Sequence, residues 1–263
     1  MRVGILASKK EARKMAEKIK RYLEESGHQV FSSYLARVAD TLDLVITFGG
    51  DGLVLSAASK FNAPILRVNW GTVGWLCNVR PDLPAVKRAL DLFFRGRYRV
   101  WERLRLKAQV FNNGCLVHEV DAGNEVVIGG IPRTVYLELK VKQPNEDHHF
   151  VAKGDGIMIA TRMGSTGYFE AAGGPVLTTE EQVGLLANNA KGGLSRDGCA
   201  PGPKSLVFHY DTVFEASNVG PRSCNRPYIT ADGRLDYRLK KNDRVIIGAS
   251  AKKTLFVELI EEV

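Results

Sequence analysis

Asp51 stands among three glycines, Gly49-Gly50-Asp51-Gly52, directly after the mostly apolar run Leu42-Asp43-Leu44-Val45-Ile46-Thr47-Phe48. Glycine backbones free of side-chain bulk can close on a phosphate, and a carboxylate at the same turn can orient the hydroxyl that attacks it. This is equipment for phosphoryl transfer, although the same tetrapeptide also makes an ordinary tight turn. Further segments carry polar groups suited to a nucleotide: Asn69-Trp70-Gly71-Thr72-Val73-Gly74-Trp75-Leu76, Asn124-Glu125, Gly154-Asp155-Gly156, and Thr161-Arg162-Met163-Gly164-Ser165-Thr166-Gly167-Tyr168, which runs on into Ala171-Ala172-Gly173-Gly174-Pro175. Trp75 could stack on a base or belong to a core. Asn124-Glu125, just ahead of Val126-Val127-Ile128, could grip ribose hydroxyls or cap a turn. Gly164 to Tyr168 offers two hydroxyls, free amides and a ring, suiting a ribose and base or a plain β-turn. Asp155 could be a ligand or a turn residue. No P-loop, dinucleotide G-x-G-x-x-G fingerprint or G-x-S-x-G elbow occurs, so a Walker-type enzyme and an ordinary dinucleotide oxidoreductase are not supported.

The elements that must hold these residues fall into two regimes. The N-terminal third alternates strand and helix: a strand over 2–7, a helix over about 9–26, strands near 28–35 and over 42–48, a short helix after Gly52, a strand over 64–69 and a helix over about 82–95. The first helix places Ala12, Met15, Ile19 and Leu23 on one face, and Gly27 is a plausible C-terminal cap. This rhythm predicts an open parallel sheet, in which ligands gather at the carboxyl ends of the strands. From about residue 98 the period changes to two, in 98–108, 134–141, 157–161 and 206–216, which predicts an antiparallel β domain. The glycine-rich, weakly periodic stretch 184–204 reads as a loop or mobile segment, with a flap over the nucleotide as the working hypothesis. The run Thr254 to Ile260 reads as a strand that returns to the first domain.

A chain of 263 residues with 44% hydrophobic content can bury two ordinary cores. No apolar run approaches the roughly 18 residues of a membrane span, and the first residues read as a strand and not a secretory leader. The expected location is the cytoplasm. Cys77, Cys115, Cys199 and Cys224 are scattered without metal-binding spacing, so they read as reduced and structural, and no protein-built metal site is expected. The net charge of +8 favours anionic partners. The densest basic group, Lys9 to Arg21, lies on an amphipathic helix and reads as a solvated face, so nucleic acid is not the expected partner.

Taken in order, these segments resemble the NAD kinase family, which carries Gly-Gly-Asp-Gly, a Gly-x-x-Gly-aromatic-Leu turn, Asn-Glu, and an Asp-Gly strand ending in Gly-Ser-Thr-x-Tyr followed by Gly-Gly-Pro. The likeness runs in register to about Pro175 and resumes more weakly at Pro203-Lys204-Ser205-Leu206 and Ala231-Asp232-Gly233-Arg234. The resemblance implies an α/β domain over 1–97, a β-rich, sandwich-like NAD-binding domain over 98–252, and a strand over about 253–263 returning to the first. It also implies an active site between the domains, and dimers or tetramers in which a neighbouring subunit helps build that site. The implied reaction moves a phosphoryl group from ATP or polyphosphate to the adenosine 2′-hydroxyl of NAD to give NADP, with Mg²⁺ or another divalent cation delivered with ATP.

Carried across by position, Asp51 is the catalytic carboxylate at the 2′-hydroxyl, with Gly49, Gly50 and Gly52 near phosphate. Trp75 is the ring beside the substrate, and Asn124, Glu125, Asp155, Thr166, Gly167, Tyr168 and Ala171 are binding residues. The chain departs from the family at Gly167, usually Ala, at Ala171, commonly Ser, and at Lys204, usually His. Two alternatives share parts of the pattern: a lipid or sphingoid kinase with the same Gly-Gly-Asp-Gly fold, which would need an apolar cleft, and a non-catalytic nucleotide-binding or basic nucleic-acid-binding protein.

Overall fold

The computed structural model describes residues 1–32, 38–72, 74–130, 134–219, 227–240 and 242–260. By backbone contacts the chain forms two units, Met1–Arg103 with Lys252–Val263, and Leu104–Ala251. The period-two run expected to open the second domain at residue 98 therefore divides. Its first six residues pair antiparallel with the C-terminal strand Thr254–Leu259 and stay with the first unit.

In the first unit, β1 (Arg2–Ala7), α1 (Lys10–Glu25), β2 (Gln29–Phe31), β3 (Leu44–Gly49), α2 (Asp51–Lys60), β4 (Ile65–Asn69), α3 (Leu83–Phe94) and β5 (Tyr98–Arg103) follow the expected alternation. The rest of the second expected strand, 33–35, lies outside the described residues. The sheet runs β2-β1-β3-β4, then the C-terminal strand, then β5, with every contact parallel except the last. All six residues of β3 are buried, the mark of a central parallel strand covered on both faces. Helix α1 buries Ala12, Ala16, Ile19 and Leu23 at helical spacing. It ends where Gly27, at φ +81°, lets its own amide reach the Glu24 carbonyl while the His28 amide reaches that of Leu23. Helix α3 starts at Asp82, whose carboxylate accepts the Ala85 amide at 2.8 Å.

The second unit contains β6 (Leu106–Asn112), β7 (Cys115–Ala122), β8 (Glu125–Gly129), β9 (Val135–Lys142), β10 (Asp147–Gly154), β11 (Gly156–Thr161), the short α4 (Tyr168–Ala171), β12 (Gln182–Asn188), β13 (Ser205–His209), β14 (Val213–Asn218), β15 (Tyr228–Ala231), β16 (Arg234–Arg238) and β17 (Asp243–Ala249). Among the described residues they make two antiparallel sheets, β10-β9-β14-β17-β6-β7 and β13-β12-β11-β8-β15-β16. One apolar cluster draws on both, including Leu106, Val110, Leu139 and Phe214 from the first and Ile128, Ile157, Leu185 and Ile229 from the second. The opposite face of the second sheet is also covered. Val127, Met158, Ala160 and Leu186 pack there against Phe169 of α4.

That double burial corrects two sequence expectations. Residues 184–188 are not loop but part of β12, whose Val183-Gly184-Leu185-Leu186-Ala187 is buried on both faces and so shows no period. Gly184 is needed in this strand because the Phe169 ring lies where a Cβ would stand. Residues beyond Asn188 are tied down by paired backbone bonds between Val151 and Ser195 and by bonds from Leu194 to Pro203 and Gly202 to Gly192. The run 206–216 is likewise two strands, β13 and β14, which turn at Tyr210–Thr212 and join different sheets.

Candidate functional site

Strand β1 is flanked by β2 on one side and β3 on the other, so the sheet reverses its order of connection at the carboxyl ends of β1 and β3. Such a switch point opens a crevice for ligands in α/β sheets. The Gly49 to Gly52 turn lies there, with the Ser8 amide bonded to the Phe48 carbonyl at 3.2 Å. Helix α2 begins at Asp51, two residues before the sequence suggested, and its cap, Gly50, supplies no side-chain bond to the first-turn amides. A helix start of this kind favours an anion. Gly52 is exposed and has nothing within 4 Å of an added Cβ.

The turn after β4 packs directly on this loop. Trp70 donates its amide to the Gly49 carbonyl at 2.8 Å, and the Asn69 side-chain oxygen accepts the Gly71 amide at 3.0 Å. A Cβ on Gly71 would stand 2.8 Å from the Gly50 Cα, so position 71 needs glycine for the two backbones to touch, and a Cβ on Gly50 would press on the Gly71 Cα at 3.3 Å. The half-buried Asp51 carboxylate bridges the same two loops, accepting the Trp75 amide at 3.1 Å on one oxygen and the Leu76 amide at 2.9 Å on the other. One amide on each oxygen leaves further lone pairs for a ligand hydroxyl. Beneath it, Cys77 donates to the Gly49 carbonyl across 3.6 Å. Burial, and then the Asp51 charge, push its thiol pKa up to about 11, so it stays protonated. Trp75 is 88% exposed, which rules out a core role for it. Val73, within this turn, lies outside the described residues.

A second group of residues gathers at one end of the β8–β11 pair in the other unit. Thr161 is held in place by donating its amide to the Asn124 carbonyl at 2.8 Å and its hydroxyl to the Gly123 carbonyl at 2.7 Å. Gly164 sits against the Asn124 backbone, where its missing Cβ leaves room for the carbonyl. Asp232, at φ +50° in the β15–β16 hairpin, accepts the Asn124 amide at 2.7 Å and the Gly123 amide at 3.1 Å, and donates its own amide to the Glu125 carbonyl at 3.1 Å. Glu125 is 7% exposed, and no described residue donates to its carboxylate. Burial, and then the Asp232 charge, push its pKa up to about 7. The Asn124 side-chain oxygen is also buried with no partner among the described residues. A buried acceptor left unmet, as the Asn124 oxygen is here, is costly unless a ligand supplies a donor.

The remaining predicted residues lie along α4 and at the far end of β11. Thr166, Gly167, Tyr168 and Ala171 are exposed, whereas Ser165 is spent within the fold, donating to the Arg162 carbonyl and accepting the Leu177 amide. Of the two hydroxyls in this turn, only that of Thr166 is free to meet a ligand. Tyr168 accepts from the Asn188 amide group at 3.1 Å, and Asp155 accepts from Asn189 at 2.8 Å. Asp155 thus stands roughly 20 Å from Thr161 at strand spacing, at the other end of β11, with the asparagines of 188–189 and not with Glu125. Sequence reasoning missed Asp232, whose Asp-Gly turn was visible only as a weak motif, and Asn69, Asn188 and Asn189, whose roles arise from contacts distant in sequence. Cys224 lies outside the described residues. Among the described residues no group of three or more His, Cys, Asp or Glu side chains is placed to hold a metal ion, and no helix is long and apolar enough to cross a membrane.

The family described as ATP-NAD kinase N-terminal domain matches residues 8–98, which contain both glycine loops. An NAD kinase of Ectopseudomonas mendocina (strain ymp) is 37% identical over 242 residues, spanning 89% of this chain and 77% of that protein. Among solved structures, yeast NADH kinase complexed with NADH superposes with a TM-score of 0.82 at 16% identity, over 100% of this chain and 84% of that one. An NAD kinase from Archaeoglobus fulgidus in complex with ATP gives a TM-score of 0.73 at 22% identity, over 98% and 94%. The two structures speak for the fold alone, but the bacterial relative is 37% identical to this chain over 89% of this chain's length: this chain belongs to the NAD kinase family.

Proposed function

We propose that this protein phosphorylates the adenosine 2′-hydroxyl of NAD, with ATP as donor, to give NADP and ADP. Family membership supports the reaction. The observation that carries the mechanism is the Asp51 carboxylate, held between two backbone amides at the switch point with bare glycine backbone on either side. With its orientation fixed, Asp51 accepts a hydrogen bond from the 2′-hydroxyl. As the bond from the 2′-oxygen to the γ-phosphorus forms and the bond to the β,γ-bridging oxygen breaks, the hydroxyl becomes acidic and its proton passes to Asp51. A carboxylate is a far weaker base than an alkoxide, so the transfer comes late, and positioning carries most of the rate. Gly50, Gly52 and the start of α2 receive phosphate oxygens, with Gly49 as the strand end that fixes the turn. Trp75 lies against the substrate, Asn124 and Glu125 accept from ribose or amide donors, and Asp155, Thr166, Gly167, Tyr168 and Ala171 line the dinucleotide.

Magnesium fits this donor set as an ion carried by the triphosphate, since Mg²⁺ is commonly held by one or two carboxylates plus substrate phosphates. Asp51 is the only carboxylate in the two glycine loops. When bound, the ion would neutralise charge on the transferring phosphoryl group. Self-association as a dimer or tetramer belongs to the same reading, supported by edge strand β5, which leaves Val100 and Trp101 exposed. The cytoplasm, which holds both ATP and NAD, is the proposed location. Incubating the purified protein with NAD, Mg²⁺ and either ATP or polyphosphate, then measuring NADP, tests the reading. Formation with ATP is expected, and no NADP with either donor would overturn it.

A further inference from the structure

Asp232 lies 108 residues from Asn124 in sequence, yet the two meet through a clamp of three backbone contacts. Its carboxylate takes the amides of Gly123 and Asn124, and its amide grips the carbonyl of Glu125. The amides of the β7–β8 connection therefore need an acceptor at this place, and the hairpin that begins with β15, the strand paired with β8, brings it. The Asp-Gly turn alone does not explain the residue. In a two-residue hairpin with both φ angles positive, here +50° and +73°, asparagine or glycine serves the backbone as well as aspartate does. Keeping a carboxylate there costs desolvation, which raises the Asp232 pKa against the pull of the Asn124, Gly123 and Glu125 amides and of Arg234. The second cost is repulsion with Glu125. Beneath both lies Arg105, buried to 1% exposure, whose charge is favoured by Asp121 and Asp232 against its own desolvation. A neutral asparagine there would offer one acceptor oxygen to two amides, so the carboxylate answers the clamp and not the turn.

We infer that Asp232 is a positioning residue for the dinucleotide: it sets the geometry and the ionisation of the Asn124-Glu125 pair without itself touching substrate. This rests on the proposed reading of that pair as substrate acceptors. An ionised Glu125 accepts from hydroxyl or amide donors better than a protonated one, so the KM for NAD should fall as pH rises through about 7. The charged group that acts on this ionisation is Asp232, which opposes it; Arg234 favours the Asp232 charge, and Asp121 and Asp232 favour that of Arg105.

Asp232→Asn keeps the turn, because asparagine tolerates positive φ, but it sets an NH₂ group against one of two amide donors and removes the charge. The expected result is a KM for NAD raised about tenfold at pH 8, a kcat changed much less, and an unchanged KM for ATP. The pH break in KM should also move to lower pH, while Glu125→Gln should abolish it. A merely structural residue would lower the melting temperature and leave the break in place. Unchanged KM and an unmoved break in a folded Asp232→Asn protein would overturn the inference. If the variant does not fold, amide hydrogen exchange in the unaltered protein decides: protected Gly123 and Asn124 amides are expected, and exchange at the rate of an open loop would overturn it. Absence of NADP formation by the unaltered protein would instead refute the kinase reading, so the two failures remain distinct.

Discussion

In the proposed reaction Asp51 combines a structural and a chemical duty in one carboxylate. Its two amide bonds hold the Trp70–Leu76 turn against the Gly49 to Gly52 loop, and its remaining lone pairs are left for the proposed substrate hydroxyl. Asp51→Asn should lower kcat by about 10²- to 10⁴-fold, the usual span for losing a general base, while NAD affinity by calorimetry stays within a few-fold. Near-normal turnover would remove Asp51 from the chemistry. Glu125 gives a stability test of opposite character. Its folded pKa of about 7 lies above that of an ordinary glutamate, so the folded state holds the proton more tightly. Stability from this group is complete below the unfolded pKa and is lost as pH rises through about 7, a difference on the order of 3 kcal/mol. Glu125→Gln should thus raise the melting temperature at pH 8 and change it little at pH 4. An equal effect at both pH values would show that the carboxyl is not perturbed.

At the scale of elements, the glycine loops act as a pair and not as two separate turns. The contact between Gly50 and Gly71 is backbone on backbone, so no rotamer change can absorb a methyl group. Gly71→Ala should push the loops apart, weaken both Asp51 amide bonds and lower kcat/KM at least tenfold, at a folding cost of about 1–3 kcal/mol typical of overpacking. Kinetics within twofold of the unaltered enzyme would show that the loops separate without consequence. The Gly-Gly-Asp-Gly turn was legible in the sequence because a buried strand, a turn and a helix start follow one another locally. Its partner contact was not, because Gly50 and Gly71 meet only when β3 and β4 pair in parallel register.

For the whole molecule, the chain's return to its first unit is decisive. The C-terminal strand stands between β4 and β5, carries Phe256 and Val257 into the interior, and offers the Val257 carbonyl to Arg67 and Asn78, each at 3.0 Å. The buried Arg67 guanidinium also meets Glu258 at 3.2 Å and the Phe256 ring at 4.4 Å. Deleting residues 252–263 should cost about 5 kcal/mol in apolar burial from these two side chains alone. It would also strand the Arg67 charge. The truncated chain should show no cooperative melt for Met1–Arg103 and rapid proteolysis within it. An unchanged melting profile would mean that β5 and β4 close the sheet without the strand.

The sequence by itself determined the fold class, the parallel and antiparallel regimes, the position of the Gly-Gly-Asp-Gly turn and the family. These rest on local periodicity and on the order of short motifs, which a linear reading can follow. Tertiary structure alone decided that 184–188 is a buried strand, that 206–216 divides between two sheets, that Ser165 is spent internally, and that Asp155 stands apart from Glu125. It also brought Asp232 beneath the Asn124-Glu125 pair. Each of these depends on which strands become neighbours: burial on both faces erases periodicity, and a side chain's partner across a sheet is set by register and not by distance along the chain.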